Sequence, residues 1–124
     1  MTFFPLFHNT QQLSALLIGG GNMAKRRAKS LIDAGVACDL MATKIAEDVL
    51  QLIESAGGKV TVGAYVSDDV MQGYSLILAL TDDRTANHTI ANDAKALGLL
   101  VNVSDKPNEG NVIFGAIIDR SPLT

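Results

Sequence analysis

Several things are scarce in this chain of 124 residues. It has one cysteine, Cys38, which excludes an internal disulfide and agrees with a reducing, cytoplasmic setting. Its two histidines, His8 and His88, lie far from Cys38 and from each other, so no metal cluster is expected. No apolar stretch approaches the roughly 20 residues that cross a bilayer. The opening Met1-Thr2-Phe3-Phe4-Pro5 lacks the basic stretch of a secretory signal. Basic residues are in the minority, 10 against 13 acids, giving a net charge of −3 and a pI of about 5.1. That balance disfavours a general nucleic-acid binder. Internal repeats, low-complexity segments and domain linkers are also missing, and the length fits one domain.

What the chain has in quantity is apolar residues: 48% hydrophobic, with a mean hydropathy of +0.23. That suits a sheet covered on both faces. Strands are expected at Ala15 to Ile18, Val36 to Ala42, Lys59 to Val62, Ser75 to Leu80, Leu99 to Val103 and Val112 to Ile118. A short edge strand is expected at Leu6 and Phe7, then a turn from His8 to Gln12. Helices are expected at Met23 to Ala34, Ala46 to Ala56 and Arg84 to Leu97, with a helical turn from Ser67 and a loop from Asp105 to Gly110. Gly35, Gly57 and Gly98 stand where helices stop. Strand and helix alternate, so the fold class is α/β, a Rossmann-type doubly wound parallel sheet. Ligand then belongs at the carboxyl ends of the first, fourth and fifth strands. Those ends are Gly19 to Asn22, Thr81 to Asp83, and Ser104-Asp105.

The stretch that organises this pattern is Leu16-Leu17-Ile18-Gly19-Gly20-Gly21-Asn22-Met23-Ala24. An apolar run ends on three glycines and restarts as a helix. Gly19-x-Gly21-x-x-Ala24 is the G-x-G-x-x-A fingerprint. Gly19 permits the tight turn, Gly21 lets backbone approach a pyrophosphate, and Ala24 lets the helix pack closely on the strand. Backbone N–H groups and the helix dipole then face an anion.

Other candidates surround that turn. The acid expected after the second strand, which would hold the ribose hydroxyls, is missing; Asp39 lies within the strand and points elsewhere. Thr43 can bond a ribose and Lys44 can meet a 2′-phosphate, so NAD and NADP both stay open on these residues. Lys25, Arg26, Arg27 and Lys29 crowd one segment and can attract a polycarboxylate or cofactor phosphates. Asp82 or Asp83 can cap the third helix. Thr81 is placed to contact a cofactor, and Asn87, one turn into that helix, can reach it too. Asp105 reads equally as an acid/base or metal-binding carboxylate and as a turn-former.

These residues form a set. Phe4-Pro5-Leu6-Phe7, the glycine turn through Arg27-Ala28, Ala79-Leu80-Thr81-Asp82-Asp83 with Asn87, Val101-Asn102-Val103-Ser104-Asp105, and Ile117-Ile118-Asp119-Arg120-Ser121-Pro122 resemble the N-terminal part of siroheme synthase. That is the precorrin-2 dehydrogenase/sirohydrochlorin ferrochelatase family. The resemblance covers essentially the whole chain. It implies oxidation of the tetrapyrrole precorrin-2 to sirohydrochlorin with NAD, in some members followed by insertion of ferrous iron. It implies Asp105 as the catalytic residue, and cofactor binding by the turn from Gly19 through Asn22, Met23 and Ala24, and by Thr81. Lys106 and Arg120 would meet the substrate's carboxylates, and the protein would be a homodimer. Residues 1–111 would form the NAD-binding domain, and 112–124 the start of a truncated dimerisation and substrate domain. The competing reading is a non-catalytic nucleotide-binding or regulatory module.

Overall fold

The computed structural model describes residues 2–115. Its chain runs β1 (Ser14–Ile18), α1 (Asn22–Asp33), β2 (Ala37–Ala42), α2 (Glu47–Ser55), β3 (Val60–Val62), β4 (Leu76–Ala79), α3 (Arg84–Ala96) and β5 (Leu100–Val103). Short 3-10 turns lie at Thr10–Gln12, Asp68–Met71 and Pro107–Glu109. The five strands pair in the order β3-β2-β1-β4-β5, and every pairing is parallel. The chain builds outward from β1 to β3, then returns to β4 on the other flank of β1. Helices leave in opposite directions at that reversal and open a crevice beyond the strand ends.

The short apolar runs become strands because both of their faces are covered. In β1, Ala15 and Leu17 face a core shared with Ala24, Ala28 and Leu31 of α1 and Val49 and Ile53 of α2. Leu16 and Ile18 face the opposite core, with Met71 and with Ile90, Ala91 and Ala94 of α3. Leu17, Leu40 and Ile77 are fully buried, each worth roughly 1.5–3 kcal/mol of apolar transfer. The alanines at 24 and 28 keep α1 close to the sheet. Asp83 caps α3 by accepting from the N–H groups of Thr85 at 2.9 Å and Ala86 at 3.2 Å. In α2, Glu47 and Asp48 in the first turn complement the helix dipole instead.

Two expectations fail and two are refined. Leu6 and Phe7 form no strand and stand exposed; an apolar pair without a partner strand has no ladder to join. The third helix stops at Ala96, with Leu97 as its exposed C-cap. The loop after β5 contains the turn Pro107–Glu109, where proline fits the first helical position. Finally, no strand is present at Val112 to Gly115. The Asn111 amide covers the outer edge of β5 instead. Its Oδ1 accepts from the Val101 N–H at 2.7 Å and its Nδ2 donates to the Leu99 carbonyl at 3.0 Å. Val112 and Phe114 then pack on the α1 side of the core. The rest of that expected strand, and Asp119-Arg120-Ser121-Pro122, lie outside the described residues.

Candidate functional site

The glycine turn is shaped by two close approaches and one open space. Gly19 has φ +135°, and a Cβ there would lie 2.4 Å from the Leu80 carbonyl oxygen. Gly20 passes so close to the next loop that a Cβ would lie 2.1 Å from the Lys44 carbonyl oxygen. Around Gly21 nothing lies within 4 Å of where a Cβ would stand. Gly21 is also the N-cap of α1 and supplies no side chain to bond the first-turn N–H groups. Those donors therefore face open space at the positive end of the helix.

That space is a crevice of about 750 Å³. Its walls include Gly19 to Gly21, Thr43 to Ala46, Gly63 to Tyr65 and Thr81 to Asp83. Of the expected cofactor residues, Gly19, Gly21, Thr43 and Thr81 line it directly. Asn22 is exposed in the first turn of α1, Met23 is half-buried against the core and Ala24 is buried beneath the turn. Lys44 lines the crevice and is exposed. Asp39 is committed elsewhere: it accepts from the Lys59 N–H at 2.7 Å and the Tyr74 hydroxyl at 2.5 Å. Cys38 is buried, and burial pushes its thiol up to about 12.

The β4 side is built from side chains. Asn87 is 1% exposed and does not line the crevice. Its Oδ1 accepts from the Thr81 N–H at 3.1 Å and hydroxyl at 2.7 Å, and its Nδ2 donates to the Thr81 carbonyl at 2.9 Å. It thus brackets the loop carrying Thr81. Asp105 also stands outside the crevice lining, with its side chain 45% exposed. Its Oδ1 accepts from Arg84 Nη1 at 2.7 Å. The other Arg84 nitrogen donates to Glu109, which His88 Nδ1 approaches at 3.4 Å and Lys106 Nζ at 3.7 Å.

The basic segment of α1 disperses. Lys25 pairs with Asp48 at 2.7 Å, and Lys29 faces Asp33 at 3.7 Å. The Arg27 guanidinium stacks 4.5 Å from the Phe114 ring centroid, and its Nε is buried without a partner among the described residues. Burial, then the charge of Arg26, lowers the pKa of Arg27. Arg26 is exposed.

A family model described as "Putative NAD(P)-binding" matches residues 6–116. The chain belongs to this NAD(P)-binding family. It is 41% identical over 123 residues to a siroheme synthase of Pseudomonas fluorescens (strain SBW25), an alignment spanning 99% of this chain and 26% of that protein. The siroheme synthase of Pseudomonas aeruginosa (strain UCBPP-PA14) is 43% identical over the same spans. The chain thus covers about a quarter of the length of these curated relatives. Among solved structures, SirC, precorrin-2 dehydrogenase, shares the fold with a TM-score of 0.78 at 22% identity, covering 95% of this chain and 57% of that one.

An NAD(P)-type dinucleotide suits the residues of this family member. The open space at Gly21 and the uncapped N–H groups of α1 are what a pyrophosphate needs. The sequence reading overlooked Gly20, Arg84 and Glu109. Gly20 occupies an unconstrained position of the fingerprint, so only the contact with Lys44 reveals its role. Arg84 had one signal: it is a cation in the first turn of a helix, where the dipole opposes it.

Proposed function

We propose that this chain carries out the NAD-dependent oxidation of precorrin-2 to sirohydrochlorin in siroheme synthesis. The observation that carries the reading is the match to siroheme synthases along 99% of the chain. Asp105, beyond the end of β5 on the same side of the sheet as the glycine turn, supports it.

When bound, the dinucleotide supplies the two-electron oxidant. The N–H groups behind Gly21 hold its pyrophosphate, Thr43 bonds the adenosine ribose, and Thr81, fixed by Asn87, contacts the dinucleotide from the β4 side. Dehydrogenation also releases a proton, and Asp105 takes it. Lys106 offers a cation to the substrate's carboxylates. In the same reading residues 1–111 are the cofactor domain and 112–124 open a dimerisation and substrate domain of a cytoplasmic homodimer.

Insertion of ferrous iron would be a later use of Asp105. Among the described residues, no cluster of three or more histidine, cysteine or acidic side chains could hold the metal. In this reading iron enters as a substrate.

The test is to incubate the protein with precorrin-2 and NAD and follow the absorbance of sirohydrochlorin. Its appearance supports the proposal; NAD binding without product favours the non-catalytic module. Parallel titrations with NAD and NADP decide the cofactor, and added ferrous iron consumes the product signal if chelation occurs.

A further inference from the structure

Arg84 ties the start of α3 to the segment after β5. Its guanidinium forks, one nitrogen donating to Asp105 Oδ1 at 2.7 Å and the other to Glu109. Glu109 is the most enclosed member of the group, its side chain 20% exposed against 41% for Arg84 and 45% for Asp105. His88 and Lys106 approach Glu109 as well. The order of support is therefore Glu109, then Arg84, then Asp105. Among the described residues, only one oxygen of Asp105 is used. Oδ2 has no hydrogen-bond partner among the described residues.

We infer that Arg84, backed by Glu109, is a positioning residue that pins Oδ1 of Asp105 and leaves Oδ2 free to take the substrate's proton. The inference rests on Asp105 being the acid/base of the proposed reaction. A half-exposed aspartate without a partner samples several rotamers. The Arg84 fork selects one of them, and a planar guanidinium does so in a way that a lysine ammonium cannot reproduce. Nothing in this arrangement touches the glycine turn, so cofactor affinity should be insensitive to it.

The test is steady-state kinetics of precorrin-2 oxidation for the unaltered protein and for Arg84→Met, Arg84→Lys, Glu109→Gln and Asp105→Asn. Each is accompanied by a thermal melt and an NAD titration. Arg84→Met should lower kcat about tenfold to a hundredfold, with NAD affinity unchanged within about twofold. Added guanidinium ion should restore part of the lost kcat in Arg84→Met and none in Asp105→Asn. Arg84→Lys should fall between the unaltered protein and Arg84→Met. Glu109→Gln should lower kcat in the same direction, and it reports on the support even if Arg84→Met folds poorly. Unchanged kcat in both Arg84→Met and Glu109→Gln, with Asp105→Asn inactive, would overturn the inference and leave the proposed function standing. Full turnover by Asp105→Asn would instead remove Asp105 from the reaction.

Discussion

The two walls of the crevice are made of different materials. The wall at β1 is backbone: three glycines, uncapped N–H groups, and a turn pressed against the carbonyls of Lys44 and Leu80. The wall at β4 is side chain: Thr81, bracketed from behind by Asn87. Beyond it, outside the crevice lining, Asp105 is held by Arg84, which Glu109 holds in turn. Backbone suits a group that every dinucleotide shares, the pyrophosphate. Side chains suit a reaction that one substrate undergoes. In the proposed reaction the difference would separate pyrophosphate binding from proton transfer, and each part can be altered alone.

The sharpest contrast lies within the glycine turn itself. Gly20→Ala places a Cβ 2.1 Å from a backbone oxygen, which cannot swing aside as a side chain would. Stability should fall by roughly 3 kcal/mol, read from denaturant unfolding. The Cβ of Gly21→Val meets nothing within 4 Å. Its melting temperature should hardly move, while NAD affinity falls about a hundredfold, close to 2.7 kcal/mol, as measured by calorimetric titration. If the two variants behave alike, the turn is structural and not a cradle.

On the other wall, Asn87→Ala removes three hydrogen bonds from a residue that is 1% exposed. About 2 kcal/mol of stability should be lost, because the Thr81 backbone groups are left unpaired. An NAD affinity loss of Gly21→Val size without destabilisation would show instead that Asn87 contacts the cofactor itself.

Tyr74→Phe should have the smallest effect, about 1 kcal/mol at neutral pH, through loss of the bond to Asp39. Burial, and then that bond, push the Tyr74 phenol from 10.0 up to about 12. A raised folded-state value favours the protonated form. Its contribution is therefore complete below pH 10 and is lost as pH rises from 10.0 through about 12. Alkaline unfolding should be flatter in that window for Tyr74→Phe than for the unaltered protein. Equal slopes would mean that Tyr74 does not couple to folding.

The backbone wall was more legible in the sequence than the side-chain wall, for a physical reason. Strands buried on both faces announce themselves as unbroken apolar runs, and a turn needing φ +135° announces itself as glycine. Both signals are local. Asn87 was read as reaching toward a cofactor, yet its amide is spent on Thr81, because spacing says which turn a residue occupies but not what its side chain meets. His88 approaches Glu109 at 3.4 Å, a contact between residues 21 positions apart that no local pattern announces. Lys25, Arg26, Arg27 and Lys29 are close in sequence, but on a helix they cannot all face one way, and each of three finds its own neighbour. Leu6 and Phe7 carried the apolar signal of a strand without any neighbour to pair with.

The separation of binding from chemistry is tested most directly by Asp105→Asn, measuring NAD affinity and sirohydrochlorin formation on the same preparation. NAD should bind within about twofold of the unaltered protein, while turnover falls at least about a hundredfold. An NAD affinity that falls in step with turnover, or a turnover that does not fall, would contradict the account.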